Sequence, residues 1–516
     1  MREDENVPVV LAGGGLVGLA AAAFLARRGI RCLVLEKRPV LSGQPRSRGI
    51  NPRTMELLRE LGLDKQVRAA PSAVALRDNS GVIAMESLRG RELGALRDRH
   101  QIDVRADLGE LTPSAWCLCH QGELEPLLHE RAVELGAEVR FGAEVTGFEQ
   151  DADGVRVTVA EDQATRTVRA RYLIAADGAG SPIRSALGVP SQGEGTLGTF
   201  LNIHFRADLR EPLAGRRFVM AYTFRPLRTG LMPLDNAEEW LLHAMVDLDA
   251  EPAESFTDER CAELVRLVAG IPDLAVEILG ARPWRLAATT AGTFRDGRVF
   301  LAGDAAHVMP PTGAFGSNTG IADAHNLAWK LAAVLAGAAG PGLLDSYDAE
   351  RRPLAEATVR QAVLRSRDRP RMADEAAGPA DPEIVGDHLI WFGGRQTGPA
   401  VLGQERPGWP EALDASPGTR APHLELPGGP LLDRLGEEFV LLTGPDSEPW
   451  LAACAAAPVP VRHEPIGDEA WPRVYRAGAG AAVLVRPDHV VAWRAETLPA
   501  DPAAALSDAL DRILAR

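Results

Sequence analysis

The N-terminal forty residues constrain the fold more than any other part of this sequence. An apolar run, VPVVLA, leads into Gly13, Gly15 and Gly18, which have the spacing G-x-G-x-x-G. A helical stretch follows and ends near Gly29, and a second apolar run, CLVLE, ends on Glu36. This order of strand, glycine turn, helix, strand and acidic residue predicts a β-α-β unit that opens a doubly wound sheet and binds a dinucleotide.

Each part of that turn has a physical reason. The first glycine permits a tight turn, the second lets the backbone approach a pyrophosphate, and the third lets the helix pack closely on the strand. The first helical turn presents free N–H groups and a positive dipole end to phosphates, and the acidic residue can accept hydrogen bonds from ribose hydroxyls. The predicted contacts are Gly13, Gly15, Leu16, Val17, Gly18, Glu36 and Lys37. NAD and FAD share the ADP half, so this fingerprint alone does not distinguish them.

Composition and charge exclude several classes of partner. The 516 residues are 46% hydrophobic and 25% charged, and the net charge of −15 disfavours nucleic acid and anionic membrane surfaces as partners. The apolar N-terminal stretch has an acidic flank and is interrupted by glycines, which argues against a membrane span. The five cysteines are scattered, so we expect a reducing, cytoplasmic location, and the sequence has no metal-binding motif.

The middle and the end of the chain follow a different pattern from the start. Between about 190 and 290, long stretches alternate apolar and polar residues, which predicts an antiparallel sheet with one covered and one open face. Residues 366–400 are polar and rich in proline, and we interpret them as a linker. The remaining residues hold the runs EFVLLTG and AAVLVRPDHVVAWR and a closing helix, which predicts a small separate α/β unit.

Four further motifs follow the glycine fingerprint along the chain. They are PRSRGINPRTMELL, QGELEPLL, LIAADGAGSPIR and GDAAHVMPPTGAFGSNTG. Together with the fingerprint they resemble the single-component FAD-dependent aromatic hydroxylases, the para-hydroxybenzoate hydroxylase superfamily, and within it the branch of phenol hydroxylase and the aromatic polyketide hydroxylases. The resemblance covers roughly residues 6–365, and the C-terminal unit, with LVRPDHVVAWR, is similar to the thioredoxin-like appendage of that branch.

The resemblance implies an α/β fold with interleaved domains. A Rossmann-like FAD-binding domain of the GR2 flavoprotein type alternates along the chain with an antiparallel-sheet substrate domain, and a thioredoxin-like domain follows. That last domain has only Cys454, so it cannot carry out dithiol chemistry. The predicted boundaries are 1–75, 105–188 and 290–365 for the FAD-binding domain, 76–104 and 189–289 for the substrate-binding domain, 366–400 for the linker and 401–516 for the thioredoxin-like C-terminal domain.

The resemblance also gives roles to individual residues. Arg46 and Gln121 match residues that contact the ribityl and phosphate region of FAD, and Asp304 matches an aspartate that binds a ribityl hydroxyl. A carboxylate suits that role because it accepts hydrogen bonds without a donor of its own, and charge-assisted hydrogen bonds are the stronger class. Asp177, in the Asp-Gly motif, matches a residue that serves both FAD and the passing nicotinamide cofactor, and Val145 is a further predicted FAD contact.

The loop after Asp304 is predicted to surround the flavin ring. Pro310 and Pro311 restrict the chain to extended geometry and leave carbonyls free of helix bonding. The resemblance implies that the Pro311 carbonyl, the one group assigned to catalysis, faces flavin C4a. Free N–H groups and the dipole of the next helix would stabilise negative charge on the reduced flavin. The predicted cofactor contacts of this loop and helix are Pro311, Gly313, Gly316, Ser317 and Asn318.

The activity that the resemblance implies is an NAD(P)H- and O2-dependent monooxygenation. FAD would be bound, NAD(P)H would visit transiently with NADPH favoured, and a flavin C4a-hydroperoxide would hydroxylate an electron-rich phenolic substrate, of a polycyclic polyketide type. A Baeyer–Villiger oxygenase or another flavin oxidoreductase on the same fold is the alternative, and a non-catalytic FAD-binding protein is a remote one. The sequence leaves the oligomeric state and the position hydroxylated open.

Several polar residues are open to more than one interpretation. His307 and His325 occupy positions of the family pattern, and we interpret them as structural. Phe315 stands where many relatives carry a polar residue, so it either packs as core or makes the site unusually apolar. The residues of the middle sheet that could face substrate or simply solvent are Asn202, His204, Tyr222, Arg225 and His243.

Overall fold

The structure is a computed structural model that describes residues 5–43, 47–96, 108–225, 227–373, 381–403, 408–409, 414–445, 447–467 and 469–516. Arg46 lies outside the described residues, so its predicted contact with FAD stays a prediction. Among the helices of the described part, none is long and apolar enough to cross a membrane.

The first part of the chain builds a sheet of mostly parallel strands. Its elements are β1 (Glu5–Ala12), α1 (Leu16–Arg27), β2 (Cys32–Glu36), β3 (Gly49–Ile50), α2 (Pro52–Glu60), α3 (Asp64–Ala69), α4 (Pro71–Ala75), β4 (Val82–Met85), β5 (Glu92–Leu96), β6 (Cys117–Leu118), α5 (Gln121–Glu134), β7 (Glu138–Phe141), β8 (Ala143–Gln150), β9 (Val155–Glu161), β10 (Ala164–Ala175) and α6 (Pro182–Ala186). β1 pairs in parallel with β2 and with β10, and β7 extends the sheet beyond β2. The predicted β-α-β opening is therefore confirmed.

The middle of the chain builds a second sheet and then returns to the first. Its elements are β11 (Ser191–Arg206), α7 (Arg210–Leu213), β12 (Met220–Thr223), β13 (Thr229–Pro233), β14 (Glu239–Val246), α8 (Asp258–Ala269), β15 (Glu277–Ala291), β16 (Arg295–Asp296), β17 (Val299–Leu301), β18 (His307–Val308), α9 (Phe315–Leu335) and α10 (Asp345–Asp368). β17 joins the first sheet beside β10, and α1 packs between α5 and α9. Ala20–Ala23 of α1 are fully buried, because such small side chains let these helices approach closely.

The second sheet has the strand order β18-β15-β11-β14-β13-β12-β4-β5. It was expected to be antiparallel, and it is so except where β4 lies parallel to β12. This exception arises because the hairpin of β4 and β5 comes from an earlier part of the chain and is added at the edge. α8 covers one face of the sheet with apolar contacts to residues such as Leu201, Ile203 and Trp240.

The last part of the chain is a small α/β unit. Its elements are α11 (Asp387–Phe392), β19 (Glu425–Leu426), β20 (Gly429–Pro430), β21 (Phe439–Thr443), α12 (Glu448–Ala455), β22 (Val461–Pro465), α13 (Ala470–Val474), β23 (Ala482–Val485), β24 (Val491–Ala495) and α14 (Pro502–Ile513). The strand order is β22-β21-β23-β24, with β21 and β22 parallel and the other pairs antiparallel. This is the thioredoxin topology, as predicted.

The segment 366–400, which the sequence suggested as a linker, contains regular structure. α10 continues to Asp368, a 3₁₀ turn covers Arg369–Ala373, and α11 follows. The side chain of Met372 packs against Val82 and Ala84 of β4, so this segment covers part of the second sheet.

Candidate active site

The first glycine turn is as tight as the sequence predicts. Gly13 has a φ of +107°, and a Cβ atom there would collide with the carbonyl of Ala176. A Cβ atom at Gly18 would collide with the carbonyl of Gly13, so neither position tolerates a side chain. A Cβ atom at Gly15 would meet only Glu125 Oε1, at 3.7 Å, and α1 has no side-chain cap. The N–H groups at the start of α1 are therefore open to an anionic ligand.

Glu36 is held in place by backbone donors at the end of β2. Its Oε2 accepts a hydrogen bond from Gly14 N at 2.7 Å, and its Oε1 accepts one from Arg38 N at 2.9 Å. Each carboxylate oxygen keeps a further lone pair that a ribose hydroxyl could use. Lys37 is exposed beside it, and Val145 is half-buried on β8.

The second glycine turn meets the first one at a single side chain. Gly303, directly after β17, has a φ of +60°, and a Cβ atom there would lie 2.7 Å from Val17 Cγ2. A Cβ atom at Gly320 of α9 would lie 2.6 Å from the same methyl group. The start of α1, the turn after β17 and α9 are thus in van der Waals contact, which brings distant glycine motifs to one cleft. Asp304 is exposed there, although Gly303 and Ala305 are buried.

A buried carboxylate that sequence reasoning missed supports this turn. Asp323 on α9 accepts hydrogen bonds from Gly303 N at 3.2 Å, His307 Nε2 at 2.7 Å and Arg351 Nε at 2.8 Å. Burial alone would raise the pKa of Asp323, but Arg351 and His307 outweigh burial and hold that pKa below its usual range. The carboxylate therefore stays ionised and fixes the turn that carries Asp304.

The proline loop closes a turn before α9. The Pro311 carbonyl, predicted to be free of helix bonding, accepts a hydrogen bond from Ala314 N at 2.9 Å. Gly313 has a φ of +93°, and a Cβ atom there would collide with the Phe315 ring. Phe315 is only 1% exposed, and the Arg365 guanidinium lies 5.1 Å from its ring centroid. Phe315 thus packs as core beneath the loop.

The first turn of α9 is tied to the chain that follows Arg46. Asn318 Nδ2 donates to Gly49 O at 2.8 Å, Asn318 Oδ1 accepts from Asn51 N at 3.1 Å, and Ser317 Oγ lies 2.9 Å from Ser47 Oγ. α9 has no side-chain cap and no acidic residue in its first turn. Its N–H groups, including that of Gly316, are consequently available to negative charge on a ligand.

Gln121 and Asp177 lie at the remaining walls of the cleft. Gln121 N donates to Ser47 O at 2.8 Å, and its side-chain Nε2 donates to Glu125 Oε1 at 2.7 Å. Asp177 Oδ2 accepts a hydrogen bond from Ile183 N at 3.1 Å, whereas Oδ1 is buried and lacks a partner. Burial raises the pKa of Asp177. An unpartnered acceptor in a cleft of open backbone N–H groups fits a ligand with hydroxyls and phosphates, which is the chemistry of FAD.

The open face of the second sheet is apolar and aromatic. Phe200 of β11 and Trp284 of β15 stack with ring centroids 5.4 Å apart, and Tyr222 and Phe224 stack at 6.0 Å. Met220, Met232 and Leu241 fill the surface between these pairs. Arg48, which follows the Arg46 motif, donates to the carbonyls of Val219 and Pro233, so this face adjoins the cofactor cleft.

Two of the candidate polar residues on this face form one hydrogen-bonded group. Asn202 Oδ1 accepts from His243 Nδ1 at 2.6 Å and from the Trp284 indole. Burial, reinforced by the charge of Arg48, lowers the pKa of His243 to about 4, so its imidazole is neutral near pH 7. His204 and Arg225 do not join them: His204 lies 3.6 Å from Glu239, and Arg225 is exposed.

Arg369 was missed by sequence reasoning because it lies in the presumed linker. The residue is 5% exposed, and its Nε and Nη1 atoms are buried and have no hydrogen-bond partner within the described part of the chain. Its guanidinium carbon lies 5.9 Å from the centroid of the Tyr222 ring. The basic run RSRDRPR around it was the only signal, since nothing local shows that this run folds back over a distant strand.

His325 lies outside the cofactor cleft, in a buried group of ionisable side chains. His325 Nε2 and His489 Nε2 face Glu60 Oε2 at 2.8 and 3.4 Å. The three side chains have the composition of a metal site. However, Arg53 donates to His489 Nδ1, and Arg27 lies 3.6 Å from Glu60. Imidazole N–H groups and guanidinium groups therefore balance the carboxylate here.

Comparisons with known proteins agree with this geometry. Residues 6–362 match the family described as FAD binding domain, and residues 414–516 match aromatic-ring hydroxylase, C-terminal. The tetracenomycin A2 monooxygenase-dioxygenase of Streptomyces glaucescens is 41% identical over 99% of this chain and 97% of its own length. The aklavinone 12-hydroxylase of Streptomyces purpurascens is 38% identical over 99% and 100%.

A solved structure gives the same result at the level of the fold. The ternary complex of aklavinone-11 hydroxylase with FAD and aklavinone superposes with a TM-score of 0.91 at 37% identity, over 100% of both chains. Matches that extend over nearly the whole chain in sequence and in structure establish both the FAD cofactor and the enzyme class. The chain therefore belongs to the FAD-dependent aromatic hydroxylases.

Proposed function

We propose that the chain hydroxylates a phenolic ring of a polycyclic aromatic polyketide, with O2 as co-substrate and NAD(P)H as a reductant that binds transiently. The observation that carries this proposal is the open face of the second sheet. It combines stacked aromatic pairs with the buried guanidinium of Arg369, two nitrogens of which lack a hydrogen-bond partner among the described residues. Flat aromatic walls suit a planar fused-ring substrate, and a cation with free donors suits an ionised phenol oxygen.

FAD, when bound, supplies the electrons and the oxygen activation that protein side chains cannot provide. The residues of the cleft would hold it at separate points. The N–H groups of α1 would bind the pyrophosphate, and Glu36 and Asp304 would bind sugar hydroxyls. The N–H groups of α9 would stabilise negative charge on the reduced cofactor without reorganisation. The Pro311 carbonyl keeps one lone pair for a further contact, since its turn hydrogen bond uses the other.

Arg369 would bind the phenol oxygen of the substrate as its anion. A phenol has an ordinary pKa near 10, so a partner that favours the charged form is needed to ionise it near pH 7. An ionised phenol is a stronger electron donor to its ring, which the transfer of an electrophilic oxygen requires. The Tyr222 ring beneath the guanidinium fixes its plane.

Water is kept from the flavin end of the site by an apolar cluster. Trp116, Leu118, Val219 and Leu76 are buried together, and Ala314 of the proline loop packs against them. A dry site strengthens the electrostatic contacts of Arg369 and of the α9 N–H groups.

The test is NAD(P)H oxidation with a panel of polycyclic phenols under 18O2, with product analysis by mass spectrometry. We expect one labelled oxygen on an aromatic ring. A product without the label would overturn the proposal, and a labelled lactone would assign the chain to the Baeyer–Villiger class instead.

Arg369→Gln tests the residue that the proposal depends on. We expect kcat/KM to fall about 100-fold or more near pH 7, because the site loses a charged group that acts on the reacting oxygen. Activity should recover toward pH 10, where the phenol ionises unaided. Arg367→Gln is the matched control, since Arg367 is exposed on the same run. An unchanged pH profile in Arg369→Gln would contradict the role given to Arg369.

A further inference from the structure

A second cavity lies on the side of α9 that faces away from the glycine turns. It measures about 100 Å³ and lies between α2, α9, α10, α11 and the C-terminal unit. Thr319, Ala322 and Asn326 of α9 line it, whereas Gly320 on the opposite side contacts Val17. The cavity reaches the first turn of α9 at Phe315 and Asn318, but most of it lies on the side of α9 away from Val17 and Gly303.

Among the described residues, two buried guanidinium groups at this cavity face a single carboxylate. Arg53 Nη1 lies 2.7 Å from Glu56 Oε2, and Arg420 binds the same carboxylate through Nε and Nη2. All three side chains are largely or fully buried, so two guanidinium groups share a single carboxylate. A buried charge without a counter-charge is costly, and a bound anion would remove that cost.

Among the described residues, the neighbouring acids supply only part of the missing negative charge, because only Asp488 of these acids acts on Arg53. Each is matched by its own base: Asp488 by Arg486, Asp323 by Arg351, and Glu60 by Arg27 and Arg28. Asp488 itself lines the cavity, but its oxygens accept hydrogen bonds from Arg486 and from Asn326 Nδ2. The carboxylate is thereby largely neutralised where it meets the cavity.

One donor at the cavity lacks an acceptor among the described residues, the buried Trp391 Nε1. Arg351 donates from Nε to Asp323 and from Nη2 to the Thr319 carbonyl. Arg420 donates from Nε and Nη2 to Glu56, and its guanidinium carbon lies 4.8 Å from the Phe392 ring centroid, which fixes its plane. All three donor residues line the cavity.

We propose that this cavity binds one small monovalent inorganic anion of chloride or bromide size, through Arg351, Arg420 and Trp391. About 10–15 Å³ of cavity volume is enough to hold one water molecule, so this cavity has room for one such ion and several waters. Those waters would serve the buried Asn326 Oδ1, which lacks a donor. Because Arg420 belongs to the C-terminal unit and Arg351 to α10, the ion would join that unit to the helices behind the flavin.

The position of the ion is tested directly by soaking crystals of the FAD-loaded enzyme in bromide. We expect an anomalous peak in this cavity, within contact distance of the Arg351 and Arg420 guanidinium groups. Absence of the peak, or peaks only at the protein surface, would overturn the proposal.

Binding in solution is tested by thermal unfolding of the FAD-loaded enzyme while chloride replaces gluconate at constant ionic strength. We expect Tm to rise by several degrees and then to saturate, as for a ligand that binds only the folded state. Ala322→Leu fills the cavity without removing a charge and should abolish this rise. Ala504→Leu, on the exposed side of α14, is the control and should retain it. A rise in Tm that persists in Ala322→Leu would contradict the proposal. A bromide peak without any Tm response would also contradict it, because it would show an adventitious ion only.

Discussion

Asp304 is the clearest case of a single side chain placed for a ligand. It is exposed, although the residues on both sides of it are buried, and its turn is held from below by Asp323. We predict that this carboxylate contributes to binding of the cofactor. If Asp304 stood in a flexible loop, the entropy cost of ordering that loop would reduce the free energy of FAD binding.

Replacement of Asp304 by alanine should weaken FAD binding with little effect on the apoprotein. Loss of one charge-assisted hydrogen bond corresponds to about 1.5–3 kcal/mol, or about a 10- to 100-fold increase in Kd. Titration of the apoprotein with FAD, followed by flavin fluorescence, measures this change. Asp296→Ala, an exposed aspartate just before β17, is the control. Equal affinity in the two variants would show that Asp304 does not contact FAD.

His489 connects protein stability to pH. Burial, reinforced by Arg53, lowers its pKa to about 4, against about 6.5 in an unfolded chain. Between these values the unfolded state binds a proton that the folded state does not, so stability falls as the pH drops from 6.5 to 4. The loss from this residue is at most about 3 kcal/mol. Urea unfolding of His489→Gln across this pH range should show a shallower slope, and the exposed His388→Gln should keep the original slope.

Among the elements, α9 borders the cofactor cleft on one side and the second cavity on the other. Gly320 brings one side into contact with Val17 and the turn after β17, and Asp323 fixes that turn. The other side, with Thr319 and Asn326, lines the second cavity. A change on either side is therefore transmitted through a single rigid helix.

The substitution Asp323→Asn should destabilise both the fold and the cofactor site. It leaves the buried Arg351 without its counter-charge, for which about 3–5 kcal/mol is typical. It also weakens the support of Gly303 N, so FAD affinity should fall as well. Urea unfolding and FAD titration together measure the two effects. Asp345→Asn, exposed at the start of α10, should change neither. A variant of full stability would show that Asp323 is not the anchor of this turn.

The sequence predicts elements well wherever the signal is local. The glycine spacing and apolar runs give the β-α-β opening, and the motif order gives the family, because both depend on residues close together in the chain. The partners of Asp323 and Arg369 were not predictable in this way. Arg369 lies against Tyr222, 147 residues away in the chain (369 − 222), and no periodicity in either segment encodes that contact. The turn hydrogen bond of the Pro311 carbonyl was missed for a different reason, since proline geometry limits φ but does not specify the turn.

At the scale of the whole molecule, a buried ionic network joins the C-terminal unit to the rest. Lys330 of α9 contacts Glu350 of α10 at 2.7 Å, and Arg486 of the C-terminal unit contacts Glu350 at 2.6 Å and Asp488 at 2.6 Å. The Arg486 guanidinium also lies 5.2 Å from the ring centroid of Trp329. The thioredoxin-like unit is thus fixed to the flavin-side helices by charge pairs that are costly to separate.

Glu350→Ala should loosen that attachment. The substitution leaves Lys330 and Arg486 buried without their shared carboxylate, and a loss of about 3–5 kcal/mol is expected. Limited proteolysis should then cut between the flavin-side helices and the C-terminal unit faster than in the unchanged protein, and Tm should fall. Glu356→Ala, on a half-exposed position of α10, is the control. Unchanged proteolysis would show that apolar contacts alone hold the unit in place.

The pairing of β15 with β18 has a mechanical consequence. β15 has 15 residues, about 50 Å of extended chain. Its last residues pair with His307 and Val308, beside the turn that carries Asp304, and Trp284 lies about 20 Å farther out along the strand. This sheet is the proposed substrate wall, and a tilt of one degree about the pairing of β15 with β18 would move Trp284 by about 0.3 Å. An exchange of this sheet between relatives should therefore include His307 and Val308, so that the transplanted β15 keeps the strand with which it pairs.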